Sequence, residues 1–347
     1  MRILALTFDA AGNLPPLLGL IEALVARGHQ VLAMGHDTQQ RQIESAGAEF
    51  LPFKIARQWN AAAPAGSLVE WLEAIDLAAR DEFLACAEAH AADVLIVDAM
   101  LPRALAGANA SAWSSVALAH APYQMLVDYL DGRFRAAIEG ADLVVVTSYA
   151  TFHDGPPVPA NVVFSGPSRP SVAEAWSPRE PGRTLILASL STGQQNQAAA
   201  LHRLCEALCS IDAEALVTTG RAVDPKDLPS APHMSLVRAA PHEAVLAHAD
   251  LLITHAGHGT LMAGLTAGVP MLALVGAVGD QPQNAARMAA LGLGEMLDAA
   301  APAEAIGEAI NRSLADPALR ERCRTFAASL RAAPGMEAAV ARIEAMS

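Results

Sequence analysis

The chain has 347 residues, 53% of them hydrophobic, and a formal net charge of −13 at pH 7. That length buries a large core and accommodates two domains rather than one. Acidic residues spread along the chain repel a phosphate backbone, which argues against nucleic acid as a partner. No apolar run approaches a bilayer span, and the opening "RILALTF" lacks the cationic region and cleavage site of a signal peptide; a cytoplasmic protein with no membrane partner is expected.

In chain order, the first half alternates short β-rich runs with helical patterns: "ILALTF", a helix over 14–26, "QVLAMG", a helix near 39–45, "EFLPF", a long helix over 68–89, and "VLIVD", with "VALAH" and "LVVVTS" extending the same sheet. Such alternation reads as βαβ units and a parallel sheet. In the first helix Leu14, Leu17, Leu18, Ile21, Leu24 and Val25 recur at helical spacing, so one face packs on the sheet while Glu22 and Arg27 face water. Between Pro156 and Arg183 repeated prolines and glycines rule out a continuing helix or a central strand and mark a domain boundary. A second series follows: "TLILASL", a helix over 201–208, "EALVTT", "MSLVR", "DLLIT", a helix from His258, "PMLAL", a helix from Gln281, and helices to the C-terminus. Two such α/β units place ligands at the carboxyl ends of their strands, in a cleft between them.

Cys86, Cys205, Cys209 and Cys323 show no CxxC spacing and read as buried thiols. There is no HExxH among the eleven histidines, and His255 with His258 has no third ligand nearby, so neither a metal nor another cofactor is expected. After "DLLIT" the chain turns through "HAGHGT". There, glycines let backbone amides approach a ligand, and the next helix presents its positive dipole end, which suits a diphosphate. A dinucleotide fingerprint would need glycine at Met262, and the first turn, "DAAGNLPP", lacks the fingerprint as well. No glycine-lysine-threonine step exists, which excludes a P-loop.

"HAGHGT", then "AGVP", then "DQPQNA" resembles the donor-binding signature of the family 1 glycosyltransferases, nearest to the bacterial antibiotic-tailoring (macrolide-type) branch. "GNLPPLLGLIEALVARGHQV", "SLST" and "APHEAVLAHADLLITHAGHGT" extend the resemblance over most of the chain. It implies a GT-B fold: an acceptor-binding Rossmann-like domain over 1–165, a linker over 166–182 and a donor-binding Rossmann-like domain over 183–330, with parallel sheets facing across a cleft. Residues 331–347 form a C-terminal helix, for which packing back on the N-terminal domain is one arrangement. By position, Thr192, His255, Gly257, His258, Gly259 and Thr260 would hold the donor diphosphate, and Asp280 and Gln281 the sugar hydroxyls. Alternatively, Asp280 caps the helix at Gln281 and His255 is a satisfied strand-end histidine.

The resemblance also implies a histidine base in the first βα turn, oriented by an aspartate about a hundred residues on. Asn13 stands in that histidine's place, and an amide cannot take a proton at neutral pH; Asp98 matches the aspartate. Losing a general base costs about 10²- to 10⁴-fold in rate. Three compensations are open: Asp98 as the base, which we favour; His120, read otherwise as a packed strand-end residue; or an acceptor that ionises easily. Gly12, Asn13 and His120 would then line the acceptor. Ala239 stands where the family stacks an aromatic on the base, and Ala263 where a glutamate grips the ribose diol, so a TDP-deoxysugar donor is a candidate beside a UDP-sugar. A loop over 58–66 is the one long acceptor loop, while Trp59, Trp71 and Trp113 are read as core. The expected activity is inverting, metal-independent transfer to a small aglycone such as a polyketide or phenol, by a monomer or homodimer. A non-catalytic nucleotide-sugar-binding protein and a nucleotide-sugar epimerase or hydrolase are the alternatives.

Overall fold

The computed structural model describes the chain apart from residues 10–11, 56–66, 129–131, 169–174, 191–196, 221, 277–278, 332, 334 and 347, and the side chains of 67–70. It divides into two compact units, Met1–Ser171 with Ala333–Ser347, and Val172–Ala332.

The first unit runs β1 (Arg2–Leu6), α1 (Leu14–Ala26), β2 (Gln30–Gly35), α2 (Gln40–Ser45), β3 (Glu49–Pro52), α3 (Ser67–Ala89), β4 (Val94–Asp98), α4 (Pro102–Asn109), β5 (Ser114–Ala119), α5 (Tyr123–Asp128), α6 (Gly132–Glu139), β6 (Leu143–Val146) and β7 (Val162–Phe164). The strands form one parallel sheet in the order β3-β2-β1-β4-β5-β6-β7. Because successive side chains point to opposite faces, each strand feeds two cores. Ile3, Ala5, Val94, Ile96, Val116 and Leu118 meet the Leu17, Leu20, Ile21 and Leu24 stripe of α1. Leu4, Leu6, Leu95, Val97 and Ala117 meet Ile75, Ala79 and Phe83 of α3 and Leu105 of α4. Trp71 and Trp113 pack against this second core, as their reading as core residues requires; Trp59 and the loop over 58–66 lie outside the described residues. The short strand β7 falls inside the proline-rich stretch, and it is tolerated there because it is an edge strand.

The second unit runs β8 (Leu185–Ser189), α7 (Ala198–Leu208), β9 (Glu214–Thr218), β10 (Met234–Val237), α8 (His242–Leu246), β11 (Leu251–Thr254), α9 (His258–Ala267), β12 (Met271–Val275), α10 (Gln281–Ala290), β13 (Gly294–Asp298), α11 (Ala303–Ala315) and α12 (Pro317–Leu330). Its parallel sheet has the order β10-β9-β8-β11-β12-β13. Helix α9 lies hard against this sheet at Gly264, where an added Cβ would come within 2.7 Å of Leu252 Cδ2 and 2.8 Å of Met271 Sδ. It stops at Gly268, whose φ of 71° is the left-handed conformation that ends helices, two residues before Pro270.

The chain then returns to the first unit. Helix α13 (Gly335–Glu344) places Ala339, Val340 and Ile343 in the same core as α1, and its Glu344 accepts hydrogen bonds from Arg27 at 2.6 and 3.1 Å. Among the described residues the four cysteines are unpaired and buried or half-buried. Burial pushes the Cys205 thiol up to about 12 and the Cys323 thiol up to about 11, which makes both unreactive at neutral pH. No helix among the described residues is long and apolar enough to cross a membrane.

Candidate functional site

In each sheet the strand order reverses direction once, between β1 and β4 in the first unit and between β8 and β11 in the second. Chains leaving two neighbouring strands there diverge to opposite faces and leave room for a ligand at the carboxyl ends. Asn13 follows β1 and Asp98 ends β4 at the first reversal point and His255 follows β11 at the second, whereas His120 follows β5 and Asp280 and Gln281 follow β12, one strand further out.

In the second unit His255 follows β11 directly, and the turn it opens is unusual. Ala256 has a φ of 62°, a left-handed conformation that costs a side chain about 1–2 kcal/mol. That twist sends the backbone into Gly257, which precedes α9 with φ −61° and ψ 139°. The imidazole lies over Gly257 so closely that an added Cβ would sit 2.4 Å from His255 Nε2, so any larger residue would displace the ring. Among the described residues, nothing hydrogen-bonds the buried His255 Nδ1. Burial pushes this imidazole down to about 4 against the opposing pull of the Asp280 carboxylate, so it is neutral at pH 7 and can donate one N–H to an anion.

His258, Gly259 and Thr260 form the first turn of α9, where amides point toward the helix start and the dipole favours negative charge. His258 is buried, Gly259 exposed and Thr260 half-buried. Thr192 lies outside the described residues.

Asp280 immediately precedes α10, but its side chain does not cap that helix. Its Oδ2 instead accepts from Asn284 Nδ2 at 2.7 Å, and the same amide donates to Ala256 O at 2.9 Å. Asn284, fully buried, therefore ties the strained turn beside His255 to the carboxylate expected at the sugar. Sequence reasoning missed it; the signal was its place in "DQPQNA", one helical turn after Asp280. Gln281 is 2% exposed, with Oε1 facing Gly276. It is therefore less open to a sugar than the resemblance implies. Ala239 is exposed after β10, whereas Ala263 is buried in α9.

In the first unit Asn13 stands just before α1, 3% exposed, and does not cap the helix. Its Nδ2 points inward, 2.8 Å from Phe8 O, 3.0 Å from Asp98 Oδ2 and 3.3 Å from Thr7 Oγ1. The Asn13 Nδ2 group is thus turned toward Asp98 and the first turn. Asp98, at the end of β4, is 2% exposed. Its Oδ1 accepts from His120 Nε2 at 3.0 Å and from Met100 N–H at 2.9 Å, while Oδ2 holds Asn13. Asp98 is thus enclosed by three donors, which suits a carboxylate that orients its neighbours. His120, just past β5, has a side chain 17% exposed, and Gly12 is exposed. Among the described residues no group of three or more His, Cys, Asp or Glu side chains is placed to hold a metal ion.

Residues 202–346, which carry this turn, match the family described as "Erythromycin biosynthesis protein CIII-like, C-terminal domain". The match spans less than half of the chain, so it is a likeness of the C-terminal part to that family. The chain is 32% identical over 191 residues to the demethyllactenocin mycarosyltransferase of Streptomyces fradiae, in an alignment covering 53% of this chain and 40% of that one. The chain spans about two fifths of the length of the curated relatives it matches first. Solved structures match it end to end. The kitacinnamycin glycosyltransferase superposes with a TM-score of 0.81 at 23% identity, covering 99% of this chain and 98% of that one. The glycosyltransferase VinC in complex with dTDP gives 0.76 at 17%, covering 100% and 99%. The fold is therefore the GT-B fold, two parallel-sheet Rossmann-like units.

Proposed function

We propose that the protein is an inverting glycosyltransferase that moves a sugar from a TDP- or UDP-linked donor to a small aglycone of natural-product type. The observation that carries this reading is the turn after β11. There a neutral imidazole whose buried Nδ1 has no partner among the described residues, a glycine lying directly under that ring, and the start of α9 converge at the reversal point of the second sheet. Such a cradle stabilises charge that develops on the diphosphate as it leaves, so it acts on the transition state rather than on binding alone. The same donors supply the charge stabilisation that a metal ion would otherwise give, so the reaction is proposed to be metal-independent.

A TDP-linked deoxysugar is the favoured donor. Ala263, where the resemblance places a glutamate for the ribose diol, offers nothing to a 2′-hydroxyl, and a dTDP complex is among the structures of like fold. The acceptor is assigned to the first unit, at the reversal point beside Asp98 and His120.

The test is incubation with TDP- and UDP-glucose, with and without a panel of phenolic and polyketide aglycones. Acceptor-dependent release of nucleoside diphosphate is expected. Acceptor-independent release would indicate a hydrolase, and saturable binding without turnover would indicate a nucleotide-sugar-binding protein; either overturns the proposal.

A further inference from the structure

We propose that His120, held by Asp98, is the base that takes the proton from the acceptor hydroxyl; the proposal rests on the transferase reading above. In the register of the first sheet Asp98 lies beside Leu118. Paired residues of parallel strands share a face, and alternation returns His120 to that face one step beyond the strand end. It is also the face covered by α1, since Leu118 and Ile96 pack with its leucines. The imidazole and the Asn13 amide therefore reach the same carboxylate, one from β5 at 3.0 Å and the other from the start of α1 at 3.0 Å.

The chemistry divides these groups. A carboxylate only accepts, so the bond between them puts the imidazole proton on Nε2 and leaves the lone pair on Nδ1. Asp98 is sealed at 2% exposure, whereas the His120 side chain keeps 17% of its surface accessible. Of the pair, it is the imidazole that faces outward. Asn13 keeps the hydrogen bond to Asp98 that a histidine at that place would make but has no basic atom, and β5 supplies the imidazole instead. Asp98 is then a positioning residue. It fixes the tautomer and stabilises the imidazolium that forms, the role of the carboxylate in other base–carboxylate pairs.

In the transfer step the acceptor O–H proton passes to His120 Nδ1. The acceptor oxygen's electron pair forms the new bond to the anomeric carbon. The bond from that carbon to the β-phosphate oxygen breaks, and its electron pair leaves with the nucleoside diphosphate. The proton on His120 returns to solvent.

The test uses the full chain with TDP-glucose as donor and two acceptors of different acidity, phenol and 4-nitrophenol, the second of which ionises near neutral pH. With phenol, H120N is expected to lower kcat by about 10²- to 10⁴-fold. With 4-nitrophenol it costs far less, and the affinity for TDP is unchanged. The double variant N13H/H120N, which returns an imidazole to Asp98 from the α1 side, is expected to recover about tenfold or more over H120N on phenol. Equal losses on the two acceptors, or full activity of H120N, would overturn the assignment.

Side-chain ¹⁵N NMR of the histidines, with His120 assigned by its absence in H120N, reads the pair without turnover. The Nε2–H tautomer is expected in the wild type and a mixture of tautomers in D98N. An Nδ1–H tautomer in the wild type, or an Nε2–H form indifferent to D98N, overturns the pairing alone. Wild-type protein that consumes no donor with either acceptor overturns the transferase reading, and the base with it.

Discussion

Replacing Asn284 by alanine tests the link between the turn proposed to hold the diphosphate and the carboxylate proposed to meet the sugar. The side chain is fully buried and its amide makes two hydrogen bonds, to Ala256 O at 2.9 Å and to Asp280 Oδ2 at 2.7 Å. A bond to a charged partner is worth about 1.5–3 kcal/mol, and a buried carbonyl left without its donor costs about 1–3 kcal/mol, so a loss of about 3–5 kcal/mol is expected. In a unit of the size of Val172–Ala332 each kcal/mol moves the melting temperature by about 2–4 °C. Melting followed by circular dichroism should therefore drop by about 10 °C or more.

The cost also falls on function, because the left-handed Ala256 turn is clamped through that carbonyl and carries His255 and Gly257 with it. Calorimetric titration with TDP and UDP should show weaker binding even well below the melting transition. Asn284→Asp is nearly isosteric but sets a carboxylate against Asp280, so it should be at least as damaging as alanine. A melting shift under about 2 °C with unchanged affinity, or a benign Asn284→Asp, would refute the reasoning.

Four further outcomes follow from the same geometry. Asp98→Asn should abolish transfer to phenol while leaving TDP affinity within about twofold, read by steady-state kinetics beside calorimetry, since it acts in the first unit and not at the phosphate turn. The folded His255 has a pKa of about 4 against 6.5 when unfolded. The unfolded chain binds more protons between those values, so His255 costs no stability above about pH 6.5 and up to about 3 kcal/mol as the pH falls toward 4. Melting curves at pH 7 and pH 4.5 should show that decline, flattened in His255→Gln. Gly264→Ala should destabilise by about 1–3 kcal/mol, because its methyl group would meet Leu252 and Met271 where α9 lies on the sheet, as urea unfolding would report. Transfer should be unaffected by EDTA, and restoration of lost activity by added magnesium would contradict the metal-independent mechanism.

The architecture was largely legible because parallel strands buried on both faces read as unbroken apolar runs, and "VLIVD", "LVVV" and "DLLIT" could be nothing else. The starts of α9 and α10 were legible from glycine and aspartate before a helical pattern. By contrast, β13 is an edge strand whose residues are largely half-exposed, so "GEMLD" carries no apolar signature. β7 is three residues long among prolines. In the site, the turn at His255 announced itself through its glycines. The hydrogen bonds joining Asn13, Asp98 and His120 did not, because they link residues 22 and 85 apart and depend on strand register, not on local pattern. The same holds for Asn284, whose hydrogen bond to Ala256 spans 28 residues.

The return of α13 to the opening unit makes that unit discontinuous in the chain, whereas its companion is built from a single stretch. As the polypeptide emerges from the ribosome, the leucine stripe of α1 can cover its own strands, but the patch destined for Ala339, Val340 and Ile343 stays bare until the whole of the second unit has been made. The later-made half can finish folding first, and the earlier one waits with apolar surface showing. Deleting α13 should therefore harm solubility through a part of the protein encoded some three hundred codons upstream.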